Sequence, residues 1–371
     1  MSDRIYAATR KGLFTIDRTG AGWKVTRAAF LGSTAGLLSR DPRNGDLFVA
    51  LGHGHFGSKL HKSTDNGETW KETAAPAYPK KPEGLSDKDG AGKEVDWDLK
   101  AIWAMAAGGK NEPGALWAGT IPGGLFKSTD SGASWNLVRP LWDHPKRHEW
   151  FGGGADNPGI HSVCVDPRDS RLVRIGISCG GVWQTADGGE TWECRADGMR
   201  AEYMPPEKQR DPNIQDPHIM VQCAATPDAL WVQHHNGIFR TTDGAKSWTE
   251  ITNVPPSVFG FAVAVHPKEP DTAWFVPARK DEYRYPVDGK VVVSRTRDGG
   301  KSFETLRKGL PQEHAYDLTF RHALDIDATG NRLAFGSTTG SLWVTEDQGD
   351  SWITVSEHLP PVYCVRFAAL P

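Results

Sequence analysis

The octapeptide STDNGETW at residues 63–70 is written five more times along the chain. It returns as STDSGASW (128–135), TADGGETW (185–192), TTDGAKSW (241–248), TRDGGKSF (296–303) and TEDQGDSW (345–352). The central aspartates, Asp65, Asp130, Asp187, Asp243, Asp298 and Asp347, are separated by 65, 57, 56, 55 and 49 residues. An enzyme seldom needs six copies of one active site. A motif repeated at this period marks a supersecondary unit that stacks on copies of itself.

Residues 160–195 show one unit. IHSVCVDP is a short apolar run ended by a turn signal, RLVRIGIS is a second closed by Gly180-Gly181, and VWQTAD is a third. The box follows, and a fourth run begins at Glu190. Four short strands joined by tight turns are one propeller blade. Residues 3–28 read as the last three strands of such a unit, with DRTGAGW (17–23) as a worn seventh box. Its first strand is missing there, whereas PVYCVRFAAL near the C-terminus is a strand without a unit. Placing that strand ahead of Arg4–Ala8 completes a seventh blade and removes exposed sheet edges. The expected fold is all-β: one domain over 1–371, a seven-bladed β-propeller of four-stranded blades closed by its terminal strands, with six blades as the runner-up.

These boxes resemble the Asp-box, or BNR-repeat, family (S/T-x-D-x-G-x-T/S-W), which belongs to the sialidase-like superfamily. The resemblance covers nearly the whole chain. It implies that each box forms the hairpin between third and fourth strands, the Asp binding backbone N–H groups, Gly taking a positive φ and Trp packing on neighbouring strands. The boxes thus fold the blades rather than perform chemistry.

Composition narrows the class. A net charge of −3 lacks the basic excess of a nucleic-acid binder. There is no apolar run long enough to cross a membrane, and MSDRIYAATRKG has no signal-peptide core. Cys164, Cys179, Cys194, Cys223 and Cys364 have no CxxC spacing and read as buried thiols of a reducing, cytoplasmic protein.

In a blade of this kind the box turn and the turn from first to second strand share one end. The long insertions, Lys71–Asp96, Arg139–Pro158, Arg195–Pro217 and Ala278–Asp288, fall at the other. Long loops on a compact scaffold are commonly functional, although PAYPKKPEGLSDKDGAGKE (76–94) reads as partly mobile. Histidines gather at the same end. His161, His218 and His322 stand where first strands begin, and His53, His55, His234 and His235 at turns from second to third strands. His266 alone belongs clearly to a bottom turn, where sister blades carry Asp-Pro. Imidazole serves as metal ligand, general base or structural hydrogen-bonder. A set of His161, His218 and His322 with His53, His55 or His234 would take a divalent transition metal, and a metal-free polar pocket is the competing reading. His161 and His322 are the candidate bases, and Glu149 and Asp216 their acid partners. Lys100, Trp103, Trp150, Arg279, Tyr316, Arg321 and His235 are candidate substrate contacts, because aromatic rings with charged groups suit a sugar-like or anionic molecule.

Within the superfamily, sialidases imply an Arg-Ile-Pro start, an arginine triad and six blades. Here the start is Asp3-Arg4-Ile5-Tyr6 and no such triad exists, so a sialidase is set aside. Xyloglucan-processing hydrolases imply two propellers around a cleft with one aspartate from each, a pairing that a single unit does not carry over. Photosystem II assembly factors and sortilin-type receptors imply a binding platform. Two expectations result. One is a hydrolase or lyase acting on a small ligand in a top-face pocket, with or without a metal. The other is a non-catalytic scaffold for a protein partner. Nucleic acid and membrane are not expected partners.

Overall fold

The computed structural model describes residues 2–52, 54 and 57–368. Its strands form seven four-stranded sheets, paired antiparallel. Among the described residues helix is confined to Arg139–Trp142 and short 3-10 segments. The fold is all-β, with seven blades of a β-propeller, and the six-bladed alternative falls away.

Blade three shows how sequence becomes sheet. Gly159–Val165, Val173–Ser178, Gly181–Thr185 and Glu193–Cys194 follow in order, with Val163 opposite Ile175 and Ile175 opposite Trp183. All six residues of Val173–Ser178 are buried. Val173, Ile175 and Ile177 alternate with Arg174, Gly176 and Ser178, and the polar groups on the second face are buried with partners, Arg174 donating to Gln184 at 2.9 Å and Ser178 to Asp216 at 3.1 Å. The last sheet has the order Val362–Ala368, Arg4–Thr9, Gly12–Thr19, Gly22–Ala29. The C-terminal strand therefore completes the N-terminal blade, with Ala7 opposite Val365.

Each box is a hydrogen-bonded turn. Ser63 Oγ donates to Asp65 Oδ1 at 2.7 Å and accepts the Gly67 N–H at 2.9 Å. Asp65 accepts the Thr69 N–H at 2.9 Å. The boxes of Asp130, Asp187, Asp298 and Asp347 repeat this pattern. Hydrogen bonds from Ser134 and Ser302 hold the Asp130 and Asp298 carboxyls down at about 2, because donors favour the charged form. The turn needs two successive positive φ values rather than one, as at Asn66 (56°) and Gly67 (78°).

The worn box differs. Residues 17–23 form a tight hairpin in which Asp17 pairs with Arg4 at 2.6 Å and accepts from Thr26 at 2.7 Å. The box hydrogen bonds are not made there, and only Trp23, 7% exposed, keeps its packing role.

The chain divides into two compact units. One comprises Met1–Leu38, Val221–Thr242 and Glu250–Pro371, the other Ser39–Met220 and Asp243–Thr249. In the first, one core gathers Trp274, Phe335, Trp343 and Trp352, and a second gathers Ile5, Ile16, Val362, Val365 and Phe367. In the second, Trp117, Trp150, Trp183 and Trp192 pack with Ile160, Ile175 and Ile177. No helix among the described residues is long and apolar enough to cross a membrane.

Candidate functional site

In the second unit, the chemistry gathers around Asp216, which is 3% exposed. One oxygen, Oδ1, accepts from Ser178 Oγ and from the Cys179 N–H, both at 3.1 Å. The other, Oδ2, lies 3.6 Å from His218 Nε2. Asp216 ends the Arg195–Pro217 insertion and His218 is the second residue of the strand Pro217–Gln222. Ser178 ends the strand Val173–Ser178 and Cys179 opens the turn after it, with φ 48°, an uncommon conformation for a residue other than Gly, Asn or Asp. The glycine run after Trp150 closes over this group. A Cβ on Gly153 would fall 2.7 Å from Cys179 Sγ and 3.5 Å from Asp216 Oδ2, so glycine lets this backbone approach the carboxylate. Burial pushes the Tyr203 hydroxyl up, with the Asp216 charge adding to it.

His161, 1% exposed, meets Ser162 Oγ at 2.8 Å through Nδ1 and the Trp103 ring edge-on at 5.6 Å. Glu149 is exposed and accepts from Asn213 Nδ2 at 2.7 Å. Trp150 donates to the same asparagine at 3.0 Å, but its indole is fully buried among core residues, with no face open to a ligand. Lys100 lies on an exposed loop 3.1 Å from Asp98. The segment 76–94, expected to be partly mobile, is pinned instead. Asp89 Oδ1 accepts the Ala91 and Lys93 N–H groups at 3.0 and 2.9 Å, and Glu94 accepts the Asp87 N–H at 3.0 Å. Asp87 and Asp89 are 2% and 6% exposed, so carboxylates that read as loop solvation are the loop's internal anchors.

In the first unit, Arg321 and Arg284 each stack on Phe261, at 5.3 Å. Arg284 bonds Asp281 at 3.0 Å, and Asp281 lies 3.9 Å from His235. Arg279 donates to the Tyr285 hydroxyl at 3.0 Å, and Tyr285 meets Tyr316 at 6.2 Å. Tyr316 is 63% exposed. Arg279, Tyr316, Arg321 and His235 thus stand among aromatic rings and cations. His234 is fully buried, accepts the Asn236 N–H through Nδ1 at 3.4 Å and packs on Phe239. His322 is 7% exposed, and its carbonyl accepts the Val365 N–H at 2.9 Å. Nearby Asp325 has its carboxyl pushed up by burial, with Arg366 opposing. His53 and His55 lie outside the described residues.

Sequence reading named Asp216 but missed Ser178 and Cys179, which hold its carboxylate. Only the Cys-Gly-Gly sequence at 179–181 hinted at a tight backbone turn there.

A buried Asp216–His218 couple can hold an imidazole in place and move a proton. Its oxygen and nitrogen are two atoms of a mixed ligand set of the kind zinc accepts.

The class is a seven-bladed, all-β propeller carrying a buried carboxylate–imidazole pair. No family model matches the chain. Among curated proteins it is similar to the oligoxyloglucan-reducing end-specific xyloglucanase of Emericella nidulans. The two are 26% identical over 267 residues, covering 64% of this chain and 30% of that one. It is also similar to a probable enzyme of the same description from Neosartorya fischeri, 27% identical over 223 residues, covering 52% and 25%. The chain therefore spans between 25 and 30% of the length of these relatives. Among solved structures, an ancestral GH74 enzyme superposes with a TM-score of 0.56 at 16% identity, covering 90% of this chain and 38% of that one. YCF48 bound to D1 peptide gives 0.52 at 14%, covering 87% and 81%. The periplasmic gluconolactonase of Pseudomonas aeruginosa gives 0.58 at 11%, covering 99% of each. These likenesses show the fold.

Proposed function

We propose that the chain is an Asp-box propeller acting on a carbohydrate as a glycoside hydrolase, with Asp216 and His218 at its chemical centre. The observation that carries the chemistry is the buried carboxylate held by two donors beside an imidazole. The xyloglucanase relatives support a glycan as the substrate class. Asp216 orients His218 and stabilises its protonated form, and His218 moves the proton. Gly153 lets backbone close over the carboxylate. Within the first unit, Arg279, Arg321 and Tyr316 are a separate set of cations and rings suited to sugar hydroxyls. If a divalent metal takes part, Asp216 and His218 would hold it and it would polarise a sugar oxygen.

The test is reducing-end release from xyloglucan and from uronic-acid-containing oligosaccharides. Asp216→Asn and His218→Gln should each lower turnover by about 100-fold or more, the ordinary contribution of a positioned acid or base, while the folded spectrum persists. Metal analysis of the same samples tests the metal. Wild-type turnover in both variants would remove Asp216 and His218 from the reaction. A non-catalytic scaffold is the second reading, supported by the exposed rings of Tyr283 (48%) and Tyr316 (63%). Absence of turnover on every glycan would leave that one standing.

A further inference from the structure

A separate cavity of about 300 Å³ lies between the Lys71–Asp96 and Arg139–Pro158 insertions, away from Asp216 in the sequence. Its walls include Leu85, Trp97, Arg139, Trp142, Asp143 and His148. Small-ligand sites run from about 300 to 1,000 Å³, so this one suits a single ring with its substituents.

The cavity is built rather than incidental. Asp87 and Arg147, 2% and 6% exposed, form an ion pair at 2.7 Å in its floor. Trp97 Nε1 donates to the other Asp87 oxygen at 2.6 Å. Arg147 also donates to the Trp142 carbonyl at 2.6 Å and lies over the Trp142 ring at 4.2 Å. The two indoles meet edge to face at 5.5 Å. A buried charge is retained only with such partners, and here the pair fixes the angle of both rings. Apart from the strand Lys71–Thr73, neither insertion contributes to a four-stranded sheet.

What the walls offer is chemically two-sided. Leu85 is 44% exposed and Trp97 is half-buried, giving an apolar face. Arg139 stacks on Trp97 at 5.7 Å and bonds Asp143 at 2.7 Å, an exposed pair that combines donors with acceptors. His148 donates through Nδ1 to the Lys88 carbonyl at 3.1 Å, leaving Nε2 as its second polar atom. A pyranose presents C–H groups on one face and hydroxyls around its edge, which matches this division. A hydrocarbon ligand would leave Arg139 and Asp143 without replacement for water, and an isolated anion would meet the Asp143 charge.

We propose that this cavity is an auxiliary carbohydrate site. A sugar ring stacks on Trp97, with its hydroxyls shared between Arg139 and Asp143, and the site retains a polysaccharide chain without cleaving it. The choice of glycan rests on the function proposed above, whereas the readout does not. Calorimetric binding of xyloglucan oligosaccharides by the full chain reports affinity whether or not bonds are broken. Trp97→Ala and Arg139→Gln should each weaken binding about tenfold or more, as loss of a stacking ring or of paired hydrogen bonds does. Arg139 is exposed, so its variant keeps the fold if removing the Trp97–Asp87 bond disturbs it. Arg171→Gln, in an exposed ion pair with Asp169 outside both sites, should bind like the wild type. Affinity unchanged in both pocket variants, affinity lost equally in Arg171→Gln, or no binding of any oligosaccharide by the wild type would each overturn the proposal. Retained binding without turnover would uphold this site while defeating the hydrolase reading.

Discussion

Ala245 occupies the box position that is glycine in the other five copies, at Gly67, Gly132, Gly189, Gly300 and Gly349. Its φ is 68°, inside the left-handed region, where a Cβ crowds the following carbonyl at a cost of about 1–2 kcal/mol. The methyl is fully buried, so its packing returns part of that. Ala245→Gly should therefore stabilise the fold modestly. An increase in melting temperature of about 1–3 °C is expected from differential scanning calorimetry, and a decrease would mean that the buried methyl outweighs the strain. The same turn shows what a sequence can and cannot disclose. The Asp and Ser/Thr positions were legible because their partners lie within eight residues, whereas the Trp was legible by repetition alone, its partners being distant, as where Trp135 donates to the Ala74 carbonyl. Asp17 matched the pattern by letter, yet its partner is Arg4 on the next strand. A two-residue hairpin leaves no room for the longer turn, so spacing alone misassigned its carboxylate.

Turns between first and second strands use a simpler device. Asp41 and Asp166 each accept the N–H two residues on, at 2.9 Å. His266 does the same work in blade five, with Nδ1 accepting the Lys268 and Glu269 N–H groups at 3.2 and 3.0 Å. Only a neutral imidazole can accept there, and burial lowers its pKa from 6.5. A group whose folded pKa lies below its unfolded value contributes stability that is present above pH 6.5 and lost as pH falls through the folded value. His266→Asp, matching the sister turns, should flatten the fall in melting temperature between pH 7 and pH 5. A profile parallel to the wild type would show that another group controls that range. The position stood out in the sequence because a histidine replaced the Asp of Asp-Pro. The surroundings of Trp150 did not, since a Trp beside glycines reads equally well as a loop ring or a core ring. Tertiary packing decided, with Trp183 at 5.5 Å and Asn213 satisfying the indole N–H.

At the scale of the molecule, the blade count was legible because a period and two incomplete ends favour seven blades over six. The candidate site was legible only in part. Its histidines could be placed at strand ends, but which were packing groups depended on burial that no local pattern encodes. His234, enclosed beside Phe239, is a case in point. The closing strand is where fold and stability meet. Val362, Cys364 and Val365 are fully buried and Phe367 is 8% exposed, within the core shared with Ile5, Ala7 and Ile16. Burying a side chain such as Val or Phe contributes about 1.5–3 kcal/mol, so the strand holds several kcal/mol against a typical net stability of about 5–15. It also covers the N–H and C=O groups of Arg4–Thr9, which would otherwise form an open edge. Ending the chain after Pro361 should therefore do more than subtract a strand. It should produce a protein that is largely unfolded or self-associated at 37 °C, seen as early loss of amide protection across residues 4–29. Val365→Asp, which places a carboxylate in the same core, should show the same loss more weakly. A truncated chain that stays monomeric with native protection across 4–29 would show that the N-terminal blade stands without the last strand.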